Sequence, residues 1–129
     1  MAQVKIYGLR SQLSEHRRSL SAAIHDALMV AFGLPEEKKF QRFLSLDGAD
    51  FIFPADRSDA YTIIEISIFE GRSAAAKKSL ISRLFANIEK QCDIRPQDVE
   101  ITLFETPVSH WGIRGVAADE LALNYQVKV

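Results

Sequence analysis

Tyr61-Thr62-Ile63-Ile64-Glu65-Ile66-Ser67-Ile68-Phe69, followed after Glu70 by Gly71-Arg72-Ser73, decides the fold. Thr62, Ile64, Ile66 and Ile68 share one face of an extended chain, while Tyr61, Ile63, Glu65, Ser67 and Phe69 share the other. Beyond Ser73 the period changes. Leu80, Leu84, Ile88 and Cys92 recur every four residues and Ile81 and Phe85 widen the stripe, which predicts a helix with one buried face. Arg95-Pro96 ends it, and Val99–Glu105 is the next strand.

The same order stands upstream. Gln3–Tyr7 alternates polar and apolar and closes at Gly8. Ser11 or Ser14 can cap a helix whose apolar face holds Leu20, Ile24, Ala27, Leu28 and Ala31. Gly33 and Pro35 stop it, and Phe40–Leu46 is a second strand. The halves also match locally. Gly8-Leu9-Arg10-Ser11 aligns with Gly71-Arg72-Ser73, Arg17-Arg18-Ser19-Leu20 with Lys77-Lys78-Ser79-Leu80, and Leu34-Pro35 with Arg95-Pro96.

Two right-handed βαβ units then share one four-stranded sheet with both helices on one face. This is an α/β chain in the form of a two-layer α+β sandwich, with short extra strands. The predicted organisation is one domain over 1–129. Residues 1–46 form the first unit, 47–60 a turn-rich connector, 61–105 the second unit, and 106–129 a loop and a C-terminal strand. Within the connector, Phe51-Ile52-Phe53 is expected to make a short strand or a covering flap. In the last strand Leu123, Tyr125, Val127 and Val129 alternate with Asn124, Gln126 and Lys128.

At 129 residues a split into two domains would leave each half too little surface to bury. A hydrophobic share of 47% with 26% charged residues is a globular balance, and the net charge of −1 supplies no basic field for nucleic acid or anionic lipid. The single Cys92 cannot form an intrachain disulfide and completes an apolar stripe, so a reducing, cytoplasmic location is expected. The first twenty residues hold Lys5, Arg10, Arg17 and Arg18 without a long apolar run, which is not a secretory signal. His16, His25, His110 and Cys92 show no metal-ligand spacing, and there is no phosphate loop, nucleophile elbow or dinucleotide glycine pattern.

Tyr7, Ile63, Phe69 and Phe104 fall on the sheet face without helices. A half-apolar face on so small a chain points to an oligomer, with the C-terminal strand as an arm for edge pairing. The alternative is that the connector 47–60 folds over that face.

Several segments carry a family resemblance. They are His25-Asp26-Ala27-Leu28-Met29-Val30-Ala31-Phe32-Gly33-Leu34-Pro35, Gly71-Arg72-Ser73, Ile94-Arg95-Pro96-Gln97-Asp98-Val99, and Glu105 followed by Trp111-Gly112-Ile113-Arg114-Gly115. In order and spacing they resemble malonate semialdehyde decarboxylase-like members of the tautomerase superfamily, from the first strand to about Gly115. The resemblance implies a cofactor-independent homotrimer acting on small 2-oxo or enol acids or malonate semialdehyde. It also implies an N-terminal proline whose secondary amine is the general base or acid, and an arginine at the start of the second helix that holds the substrate carboxylate. This chain departs from the pattern twice. It begins Met1-Ala2-Gln3, with no proline at the second position, and Lys38, beside Glu37, stands about where decarboxylase-type members carry an aspartate.

The candidate catalytic residue is therefore Ala2. Once Met1 is removed, Ala2 carries a primary amine able to act as a base near neutral pH or to form an imine. Antiparallel pairing of the first and third strands brings Ala2 close to Phe69–Arg72. Arg72, ahead of a helix N-terminus, can take a carboxylate through two parallel hydrogen bonds. Trp111, Ile113 and Arg114 complete the expected ligand-binding set; wall-of-pocket and core-anchor roles stay open for Trp111 and Ile113, and a surface ion pair for Arg114. Arg42 is expected to pair with Glu65 or Glu100, the alternative being that it faces the pocket or the trimer axis. His25 is expected on a polar flank of its helix, and His110 beside Trp111 is a further candidate. Two classes remain level: a weak keto–enol tautomerase, and a non-catalytic binding or structural trimer that lost activity with the proline.

Overall fold

The computed structural model describes residues 1–121 and 125–129. Its framework is β1 (Ala2–Leu9), α1 (Arg10–Phe32), β2 (Gln41–Leu46), β3 (Thr62–Phe69), α2 (Ala74–Cys92) and β4 (Val99–Thr106). A short hairpin follows, β5 (Gly112–Ile113) and β6 (Val116–Ala117). The sheet order is β2-β1-β3-β4. Its outer pairs are parallel, as βαβ units require, and the central β1–β3 pair is antiparallel, with Ala2 opposite Ile68 and Tyr7 opposite Ile63. The predicted two-layer architecture is the observed one.

The alternation in β3 does what its periodicity demands. Thr62, Ile64, Ile66 and Ile68 are buried beneath the helices, where they meet Val4 and Ile6 of β1. Leu20, Ile24 and Leu28 of α1 and Leu80, Leu84, Ile88 and Cys92 of α2 close that core from above. Gly33 caps α1, its N–H on the Met29 carbonyl at 2.9 Å. Asp93 does the same for α2 toward Glu89, so that helix stops three residues before Pro96.

Four local expectations are corrected. The first helix begins at Arg10 with Leu9 at its cap and no side-chain cap bond, so Ser11 and Ser14 lie inside it. His25 is buried rather than on a polar flank, because its Nε2 lies 2.8 Å from the Glu36 carbonyl oxygen, which satisfies the ring. Arg42 pairs with neither expected acid. Tyr7 donates to Glu65 at 2.8 Å, while Arg57 and Tyr61 donate to Glu100. Finally, Tyr125–Val129 is not a strand; Leu123 and Asn124 of that expected element lie outside the described residues. The last residues fold back on the chain, the Ser73 N–H reaching the Val129 carbonyl oxygen at 3.4 Å.

The helix-free face is covered at its two ends. Phe51 and Phe53, in irregular backbone rather than a strand, set their rings within 5.4 Å and 4.9 Å of Tyr61. At the far end Phe69, expected to be uncovered, is buried beneath Trp111, ring centroids 4.9 Å apart and edge to face. Tyr7 and Ile63 are half-buried between these covers, and Phe104 is 47% exposed.

Candidate functional site

The two registers that build the sheet also build the site. Ala2 faces Ile68, so residue 1 stands beside Phe69. Val4 lies alongside Gln41 in the parallel β1–β2 pair, so counting back three on each strand brings Lys38 alongside residue 1. The first amine is therefore flanked by the β3–α2 turn on one side and the α1–β2 turn on the other. Met1 is only 6% exposed, and its side chain joins Phe69 and Ala118 in a second apolar cluster against which Trp111, Ile113 and Val127 pack. Burial first, then the charges of Arg72 and Lys38, push the amine from its ordinary 8.0 down to about 5. At neutral pH it is an uncharged primary amine.

Arg72 is the unusual member. It is 5% exposed, and its guanidinium lies 4.3 Å from the centroid of the Phe32 ring. Nη1 donates to the Phe69 carbonyl at a long 3.4 Å, while Nε and Nη2, both buried, have no hydrogen-bond partner among the described residues. Burial pulls its pKa down to about 10 against the opposing charge of Glu105. That carboxylate is itself engaged, accepting from Lys77 at 2.6 Å. A buried guanidinium with two idle donors is costly in a finished core and fits a site that awaits an anion. Gly71 lets the turn close: its φ of 127° suits glycine, and a Cβ there would stand 3.2 Å from Val127 Cγ1. α2 then starts under Ser73, whose Oγ accepts from the Ala76 N–H at 3.1 Å.

The anticipated residues divide by position. The pairing of Ala2 opposite Ile68 puts it beside the Arg72 turn, as the antiparallel register required. Trp111 and Ile113 both pack onto the Met1–Phe69 cluster, and Trp111 Nε1 donates to Thr106 Oγ1 at 2.6 Å. Arg114 stands at the exposed tip of the β5–β6 hairpin, where φ values of 51° for it and 90° for Gly115 make a tight turn. His110 is exposed in a single 3-10 turn. Sequence reasoning missed Phe32 as the platform under Arg72 and Phe69 as a wall. An aromatic residue just ahead of the Gly33 cap was the available signal for Phe32.

Comparison with known proteins gives the family and the fold. Residues 38–114 match the family model described as "Tautomerase enzyme", and the chain belongs to that tautomerase family. It is 33% identical over 57 residues to the 2-hydroxymuconate tautomerase of Pseudomonas putida, covering 44% of this chain and 90% of that one. A probable tautomerase of Ralstonia nicotianae is 32% identical over 54 residues, 42% of this chain and 77% of its own. Among solved structures, malonate semialdehyde decarboxylase superposes with a TM-score of 0.80 at 26% identity, covering 89% of this chain and 93% of that one. A native fused 4-OT shares the fold at 0.79 and 21% identity over 92% of this chain and 98% of its own. Another fused 4-OT structure, described as a symmetric trimer, scores 0.78 at 20% identity over 91% and 96%. No helix among the described residues is long and apolar enough to cross a membrane.

Proposed function

We propose that this tautomerase-family protein binds a small 2-oxo or enol carboxylic acid and interconverts its enol and keto forms with its N-terminal amine as the base. The observation that carries the reading is Arg72, a buried guanidinium with two unpartnered nitrogens beside that amine. Nε and Nη2 lie on one edge of the guanidinium plane, the arrangement that takes both oxygens of a carboxylate in parallel. Phe69, Trp111 and Ile113 wall the apolar part of the ligand. Arg114, on the hairpin that carries Ile113, draws the anion in.

The amine, on Ala2 once Met1 is removed, accepts the enol hydroxyl proton and returns a proton to the adjacent carbon. An amine desolvated in an apolar pocket beside a cation gives up its proton more readily than a free one, and its protonated form is then a stronger donor toward carbon. No metal or organic cofactor enters this chemistry. By analogy with the trimeric fused 4-OT neighbours, we assign the working form to a homotrimer; the single Cys92 is the ground for assigning the protein to the cytoplasm.

The test is the ketonisation of an aryl enolpyruvate followed by absorbance. The expected result is a rate above buffer that rises with pH through a limb below the ordinary range of a terminal amine. Arg72→Ala lowers kcat/KM by roughly 30- to 150-fold, the loss of about 2–3 kcal/mol of charged hydrogen bonding. A second reading, a ligand-binding member without catalysis, is favoured by Ala2 itself, which lacks a rigid secondary amine. An inactive parent that gains activity on Ala2→Pro would select it.

A further inference from the structure

We propose that the protein forms a covalent imine between its N-terminal primary amine and the carbonyl carbon of a 2-oxo acid, giving it enamine chemistry beyond proton transfer. The proposal deepens the function above, since it rests on the same amine and on Arg72. Three placements carry it. The amine is buried at the start of β1, against the apolar cluster of Met1, Phe69 and Ala118. Arg72 follows the strand end beside it, with Nε and Nη2 vacant for the acid's carboxylate. Lys38 lies on the other side through the parallel register of β1 and β2.

Two cations flanking a desolvated amine keep it unprotonated, and an unprotonated primary amine is a carbonyl nucleophile. The charges acting from the surrounding elements are Arg72 and Lys38 directly, with Glu105 working on Arg72 and neutralised by Lys77. An exposed lysine, by contrast, titrates at about 10.4 and stays protonated at neutral pH.

The step balances without a co-reactant. The nitrogen lone pair adds to the C2 carbonyl carbon, the carbonyl oxygen departs as water with the two amine hydrogens, and a C=N bond remains. The imine nitrogen takes a proton from solvent and C3 gives one up to solvent, which leaves the enamine; reprotonation at C3 and hydrolysis return the acid and the amine. The net visible result is exchange of the C3 hydrogens with solvent. Arg72 is the binding residue here. Lys38 is a positioning residue, acting only through the amine's charge.

The experiment uses pyruvate with cyanoborohydride at pH 6.5, followed by intact mass and peptide mapping. Expected is one reduced adduct on the N-terminal residue, with intact mass deciding whether that residue is Met1 or Ala2. Arg72→Ala, and separately Arg72→Lys in case the alanine variant folds poorly, lowers the trapping rate at low pyruvate at least tenfold. Lys38→Gln moves the pH midpoint of trapping upward, because removing a neighbouring cation lets the amine hold its proton to higher pH. No adduct overturns the proposal, as does an N-terminal adduct indifferent to Arg72, or modification spread over surface lysines. The two functional readings separate cleanly. Ketonisation without trapping leaves the base and removes the imine, whereas trapping without ketonisation leaves the imine and removes the base.

Discussion

The repeat gives the molecule two equivalent helix starts, Arg10-Ser11 after β1 and Arg72-Ser73 after β3, and their surroundings are opposite. At the first, the arginine is paired in solvent. Arg10 is exposed and pairs with Asp47 at 3.2 Å. At the same end of the sheet, ahead of β4, Asp98 is 1% exposed and accepts from the Ser58 N–H at 2.7 Å, the Ser58 hydroxyl at 2.6 Å and Arg95 at 3.0 Å. Burial pushes the Asp98 carboxyl up, but those donors outweigh it and hold it below the usual carboxylate range. At the second helix start Arg72 is buried with two donors idle, next to an uncharged amine. One end of the sheet is finished as structure. The other keeps two buried guanidinium nitrogens without partners among the described residues, which is what the proposed anion site requires.

If that contrast is real, the satisfied end is fragile and the open end is not. Asp98→Asn removes the charge that Ser58 and Arg95 serve and is expected to cost about 3 kcal/mol, lowering Tm by roughly 10 °C. The sign with pH follows. The Asp98 contribution is complete above the unfolded carboxylate pKa and disappears as pH falls through the depressed folded value, so the variant flattens the acid limb of a stability–pH profile. Tyr61→Phe removes the hydrogen bond to Glu100 from a phenol whose pKa burial, then that bond, raises to about 12; denaturant melts are expected to show a loss of about 1 kcal/mol. Arg72→Met exchanges a buried charge held only by the Phe32 ring and one long hydrogen bond for an apolar chain of similar length, and stability is expected to stay within about 1 kcal/mol of the parent or to rise. Arg10→Ala breaks an exposed pair and is expected to change stability by less than about 0.5 kcal/mol by the same melts. A large loss at Arg72 with none at Asp98 would invert the comparison.

The architecture was legible because it rests on periodicity. The alternation of Thr62 to Ile68 and the four-residue rhythm of Leu80 to Cys92 are set by burial, and burial is what the sheet and helices deliver. Elements governed by local hydrogen bonds were less legible. Two serines near the start of α1 resemble caps, yet the strand runs on to Leu9 and the helix starts before either. The alternating tail resembles a strand, but Val127 is drawn into the Phe69–Met1 cluster, a tertiary preference that no local pattern announces. For the candidate site, Arg72 came from the family resemblance and its place ahead of a helix, and the nearness of its turn to Ala2 from strand pairing. The idle nitrogens, the Phe32 platform and the buried Asp98 clamp did not, because they depend on which side chains meet across segments more than thirty residues apart.

The central claim is that the open end binds an anion through Arg72 for a reason unconnected with holding the fold. Calorimetric titration of pyruvate into the parent and into Arg72→Met, with a denaturant melt of each, tests it most directly. The expected result is binding to the parent, at least tenfold weaker binding to the variant, and stabilities that agree within about 1 kcal/mol. Equal affinity in both proteins, or a variant that unfolds as it loses the ligand, would contradict it.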